Sequence, residues 1–116
     1  MPDQEMIARL RTELEQQRED LRREIQDHGA DPDSDEVAFE GDAGFSDRSH
    51  STEERSRVIA VVRALRSNLR DVDRALAKMD ADTYGTCERC GNPIGDERLE
   101  AIPWALLCID CKKLVG

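Results

Sequence analysis

Apolar residues recur at helical spacing over residues 3–28: Ile7, Leu10, Leu14, Leu21 and Ile25, with Gln17 and Glu24 standing where further apolar residues would fall. No glycine or proline interrupts this stretch until Gly29, which is placed to stop a helix. A second stripe is cleaner. Val58, Val62, Leu65, Leu69, Val72, Leu76 and Met79 are spaced alternately four and three apart, an unbroken heptad pattern with charged residues on the other faces. Ser51-Thr52-Glu53-Glu54 supplies a Ser-x-x-Glu capping box near its start, although the pattern also allows a start around Asp47. Two helices with narrow stripes, joined by a loop, pair most simply as an antiparallel coiled-coil hairpin, a rod of roughly 40 Å at ~1.5 Å per residue. The same stripes also suit a four-helix bundle made by two chains.

The joining loop, about residues 29–50, has its own character. Asp31, Asp33, Asp35, Glu36, Glu40, Asp42 and Asp47 crowd into it, with Gly41 and Gly44 and with Arg48 as its one strong base. Most of these carboxylates read as a solvated acidic surface. Phe45, just ahead of the second helix, has two readings: a hydrophobic staple folded back on the first turn, or a contact residue at an exposed tip.

Composition narrows the class. The chain has 116 residues, of which 3% are aromatic and 37% charged, with a net charge of -9. Such a chain suits solvated helices that bury one stripe each and argues against a globule with a central sheet. The acidic balance argues against sequence-independent or sequence-specific DNA binding, because phosphate contacts need clustered Lys and Arg. The start Met1-Pro2-Asp3-Gln4-Glu5 is acidic where a secretory leader is basic and then apolar. The longest apolar run, 101–109, is broken by Pro103 and too short to span a bilayer. These features predict a cytoplasmic protein with no membrane association.

The chemistry lies in four cysteines, Cys87-x-x-Cys90 followed after 17 residues by Cys108-x-x-Cys111. Each pair aims two sulfurs at one point, and two such pairs complete a tetrahedron of thiolates around zinc. With four thiolates no position stays open for water or substrate, so the expected role is one structural Zn2+. Gly85 and Gly91 flank the first pair and let its backbone amides turn toward sulfur. Cys108-Ile109-Asp110-Cys111 leads into Lys112-Lys113-Leu114, which reads as the first turn of a short C-terminal helix. Arg89, Lys112 and Lys113 are placed to offset the negative cluster, and Ile94, Leu99, Ile102, Trp104 and Leu107 are the bulky apolar residues at hand. The expected architecture is mostly α: a hairpin over 1–80 and a small four-cysteine zinc-finger module over 81–116.

Taken together, the chain resembles the DksA/TraR family of bacterial transcription factors. The resemblance rests on Tyr84-Gly85-Thr86-Cys87-Glu88-Arg89-Cys90-Gly91, on Ile94-Gly95, on Arg98-Leu99-Glu100-Ala101-Ile102-Pro103 and on Leu107-Cys108-Ile109-Asp110-Cys111-Lys112. The turn residues 29–36 and Gly44-Phe45-Ser46-Asp47 look most like short actinobacterial members. The resemblance implies a hairpin that enters the secondary channel of RNA polymerase, with its tip near the catalytic magnesium, and alters initiation at selected promoters. It places Asp42, Phe45, Asp47 and Ser49 at the working tip. The family's best-studied members carry Asp-x-x-Asp-x-Ala there, at positions that fall here on Gly44, Asp47 and Ser49, so only Asp47 matches and Asp42 is the nearby substitute. Some members bind guanosine tetraphosphate through basic side chains. Here Ile102 and Asp71 stand where relatives carry Arg and Lys, and Lys112 alone remains, so no strong alarmone binding is expected.

Two other classes compete. Zinc-bound thiolates are oxidisable, which makes a redox or stress sensor conceivable, and the heptad surface would serve a protein-interaction scaffold that never enters a polymerase. Enzymatic activity is not expected: His28 and His50 are remote from the cysteines, and there is no glycine-rich phosphate loop or nucleophile–base spacing. No catalytic residue is proposed.

Overall fold

A computed structural model describes residues 2–33 and 52–115, so Asp42, Phe45, Asp47, Ser49, His50 and the Ser51 capping box lie outside the described residues. Four helices follow one another: α1 (Gln4–Asp27), α2 (Thr52–Asp80), α3 (Asp96–Ala101) and α4 (Ile109–Val115). α1 and α2 pair as an antiparallel coiled-coil hairpin, and no strand occurs among the described residues.

Local chemistry sets both ends of α1. Asp3 caps the start: its Oδ1 accepts from the Met6 amide at 2.8 Å, and its carbonyl accepts from the Ile7 amide at 2.9 Å. At the other end Gly29 takes a positive φ of 85°. Its amide donates to the Gln26 carbonyl and that of Ala30 to the Ile25 carbonyl, the paired bonds of a Schellman stop.

The chain divides into two compact units, Met1–Arg18 with Arg70–Gly116, and Glu19–Leu69, and α1 and α2 contribute to each. In the first, Met6, Leu10 and Leu14 of α1 and Val72, Ala75 and Met79 of α2 are buried. Arg11–Asp80 at 3.0 Å and Arg18–Asp73 at 2.6 Å record the antiparallel register. In the second, Leu21, Ile25 and Ala30 are buried together with Val62, Leu69 and the side chain of Arg66.

The buried row of α2 departs from the expected heptad. Val62, Leu69, Val72 and Met79 are inside, but Val58, Leu65 and Leu76 are only half-buried, and Arg66 and Ala75 take the covered positions. Ala75 lies on the side of α2 that carries Arg74 and Lys78, which reach Glu88 and the Thr86 carbonyl. A third packing element therefore widens the stripe on that side. In α1, Met6 is buried where Ile7 was expected, and Ile7 is half-buried.

Leu14 is 0% exposed, so Leu14→Ala removes packed methyl groups and leaves a cavity. The expected loss in urea denaturation is about 3 kcal/mol. Leu114→Ala, at a side chain 73% exposed, is expected to change stability by no more than about 0.5 kcal/mol.

Candidate metal centre

The second half of the first unit folds around the cysteines. Thr86 and Pro93 form a single antiparallel bridge, and the Cys87 amide donates to the Asn92 carbonyl, closing a small knuckle over the first pair. Gly91, at φ 79°, turns the chain immediately after Cys90. The amides of Arg89 and Cys90 thereby point at Cys87 Sγ, at 3.4 and 3.5 Å, and the Asn92 amide points at Cys90 Sγ, at 3.5 Å. Gly85 is required for a different reason. A Cβ there would lie 2.8 Å from Pro2 Cδ, so the N-terminus sits directly against the backbone of the knuckle.

The second pair comes from a helix. Cys108 precedes α4 and Cys111 lies in its first turn; the Lys112 amide donates to the Cys108 carbonyl at 2.9 Å, so residues three apart share one face. All four cysteines are free thiols, and their Sγ atoms lie within 4.8 Å of one another. Cys90 and Cys108 approach to 3.7 Å across the two halves. A tetrahedron with metal–sulfur bonds of about 2.3 Å has sulfur–sulfur edges of about 3.8 Å. The set fits.

Electrostatics explain why the set needs a dication. Burial of Cys87 opposes ionisation, but amides from Cys108, Cys90 and Arg89 outweigh it and bring the thiol down to about 6. Cys111 goes the other way: burial, hydrogen bonds that its thiol donates to Cys108, Cys87 and Cys90, and the charge of Cys108 push it up to about 12. Cys87 is thus favoured as a thiolate, and Cys111, packed against the other sulfurs, as a thiol. A doubly charged cation stabilises the thiolate form that ligation requires.

Around this centre the contacts are specific. Arg74 holds Glu88, the residue after Cys87, in a two-nitrogen grip with bonds of 3.0 to 3.2 Å. Lys78 Nζ donates to the Thr86 carbonyl, and burial lowers the pKa of Lys78, with Glu88 and Cys87 opposing. The Tyr84 hydroxyl donates to the Pro103 carbonyl at 2.9 Å, and burial pushes its pKa up to about 12. Leu99, Ile94, Tyr84 and Ala105 form the buried core, whereas Ile102, Trp104 and Leu107 are half-exposed. Sequence reasoning missed the parts of Tyr84, Arg74 and Lys78. The only advance sign was the Tyr84-Gly85-Thr86 run beside the first cysteine.

A cavity of about 380 Å³ lies beside the centre, and Asp71, Ile102 and Lys112 all line it, with Trp104, Glu88 and Arg98. Burial raises the Asp71 pKa, and Lys112, Arg70 and Arg74 pull it back.

The family model of the prokaryotic dksA/traR C4-type zinc finger matches residues 82–114. Over 108 residues the chain is 38% identical to the RNA polymerase-binding transcription factor DksA of Escherichia coli strain K12, covering 93% of this chain and 70% of that protein. The chain belongs to the DksA/TraR family. It is also 42% identical over 69 residues to the protein of the same name from Haemophilus influenzae, covering 60% of this chain and 48% of that one. An uncharacterized Aquifex aeolicus protein is 49% identical over 49 residues, 42% of this chain and 34% of its own length. The chain thus spans between a third and a half of these last two relatives. The structure of transcription factor DksA2 from Pseudomonas aeruginosa superposes with a TM-score of 0.71 at 25% identity, covering 97% of this chain and 84% of that one. In this family setting the four converging thiols take one structural zinc ion. No helix among the described residues is long and apolar enough to cross a membrane.

Removing the metal tests the centre. Chelation, or Cys111→Ser, is expected to abolish the one bound zinc and to shift Trp104 emission as residues 84–115 loosen, with most far-ultraviolet helix signal kept by α1 and α2. A Cys111→Ser protein that still carries one zinc ion per chain would contradict the assignment.

Proposed function

We propose that this chain is a non-enzymatic cytoplasmic regulator that binds RNA polymerase through the secondary channel and modulates initiation. Cys87, Cys90, Cys108 and Cys111 ligate its zinc, and residues 81–116 serve as the finger that anchors the hairpin of 1–80. The observation that carries this reading is the likeness over 93% of the chain to a protein named as a polymerase-binding transcription factor. A hairpin whose thickness is two helices supports it physically, since a narrow element enters a pore that a globule cannot. The closed set of four sulfurs supports a structural metal, because no coordination position remains for substrate.

Asp42, Phe45, Asp47 and Ser49 are assigned to the working tip, with Asp47 as its principal carboxylate. A carboxylate brought near a metal-bearing, phosphate-handling centre acts through charge. With purified core polymerase, Asp47→Ala and Phe45→Ala are expected to keep binding within about threefold while the effect on initiation falls at least about tenfold, as for a contact made only at the end of the element. Absence of binding by the unaltered protein would refute the reading and favour a scaffold elsewhere.

Asp71 and Glu88 against Arg98 and Lys112 leave the cavity beside the centre without net positive charge, and a tetraphosphate needs several cations. Calorimetry on the isolated zinc protein should give guanosine tetraphosphate binding weaker than micromolar. Asp71→Lys combined with Ile102→Arg should tighten it by at least about tenfold, the scale of one or two charge-assisted hydrogen bonds.

A further inference from the structure

Arg66 is the buried charged side chain among the described residues, 5% exposed, in the row of α2 between Val62 and Leu69. The heptad stripe passes through Leu65 and leaves position 66 to the polar side, yet it is Arg66 that is buried, and an arginine loses hydration by entering such a row. Its guanidinium is used. Nη1 donates to the Asp31 carbonyl at 2.8 Å.

Asp31 stands where the chain leaves α1, and residues 29–33 are tied by a series of specific contacts. Gly29 turns the chain at positive φ, and Ala30 is pinned to the Ile25 carbonyl and buried. Asp31 Oδ1 accepts from the Asp33 amide at 2.9 Å, an Asx turn, and Asp33 Oδ1 takes Arg22 Nη2 at 2.9 Å. One arginine from each helix therefore grips the five residues that lead out of α1. A helix stop needs only the glycine and its two backbone bonds. The buried guanidinium adds direction, at a position where leucine or methionine would fill the space with no charge to desolvate.

We propose that Arg66 is a positioning residue that sets the path by which the chain departs α1 toward the interhelical segment; its functional consequence rests on the reading above, in which that segment is the working end. The test uses the full-length zinc-loaded protein with Arg66→Met, which keeps length and burial, and Arg66→Lys, which keeps a donor. Arg66→Met is expected to melt at or above the temperature of the unaltered protein, since an apolar side chain of similar length suits the row. Hydrogen exchange of the Ala30 and Asp33 amides should accelerate at least tenfold while amides flanking Leu14 and Val72 stay unchanged. Polymerase affinity should remain within twofold and the effect on initiation fall at least fivefold, with Arg66→Lys recovering part of both the exchange protection and the effect.

Unchanged exchange over residues 29–33 in Arg66→Met would overturn the proposal. So would faster exchange with initiation untouched, or a general loss of protection with a lower melting temperature, which marks an ordinary core residue. If the unaltered protein fails to act on polymerase, the function reading fails, and the exchange data still decide whether Arg66 holds the exit.

Discussion

The convergence of four thiols on one point is the constraint on which the finger depends. Residues 84–115 bury few large side chains, chiefly Leu99, Ile94 and Tyr84, too few to offset the ordering of some thirty residues. Zinc ligation contributes on the order of 10 kcal/mol to such modules. The amides aimed at Cys87 and Cys90 show how the backbone prepares for it: the knuckle supplies part of the positive field in advance, and the metal completes it. The same amides constrain the turn, which is why Gly91 must take a positive φ there.

The centre does not stand apart from the ends of α1 and α2. Glu88 lies between the first two cysteines and is gripped by Arg74 of α2; Thr86 is held by Lys78; Gly85 is covered by Pro2; and Glu100 of α3 pairs with Arg9 of α1 at 3.1 Å. Exposed pairs such as Arg9–Glu100 contribute little each, about 0 to 1 kcal/mol. Gly85 differs in kind, because no side chain fits between it and Pro2. Steric closeness, more than charge, couples the knuckle to the N-terminus, and loss of the metal is felt first by residues that touch both.

Much of this was legible in the order of residues. Cysteine spacing identified the centre, since the chemistry of two Cys-x-x-Cys turns leaves few alternatives, and Gly29 marked the end of α1 because a stop there needs a positive φ. The heptad gave the helices and, in α2, the inner positions Val62, Leu69, Val72 and Met79, but not Arg66 and Ala75. Leu76 yields to Ala75 because α2 is packed by the knuckle as well as by α1, and a two-helix repeat carries no information about a third neighbour. Arg66 is harder still: a charged residue beside a stripe reads as solvated, and its bond to the carbonyl of Asp31, thirty-five positions away, leaves no mark in the local pattern. Asp42, Phe45, Asp47 and Ser49 rest on resemblance alone.

The division of labour follows from coordination chemistry. A metal enclosed by four sulfurs offers no site for exchange, so whatever this chain does to a partner must be done by its surface and its ends. Among described residues the surface of the finger carries both signs of charge, and the cavity there is balanced, with Asp71 and Glu88 facing Arg98 and Lys112. Balance of that kind suits a base that holds position and gives no strong pull on an anion. The hairpin is built differently. Its exit from α1 is braced by a buried guanidinium and an Asx turn, devices that add little stability and much directional precision. Directional bracing of residues 29–33 is a different use of desolvation from the zinc centre: the finger commits its polar groups to holding a metal, and the hairpin commits a guanidinium to aiming its own backbone.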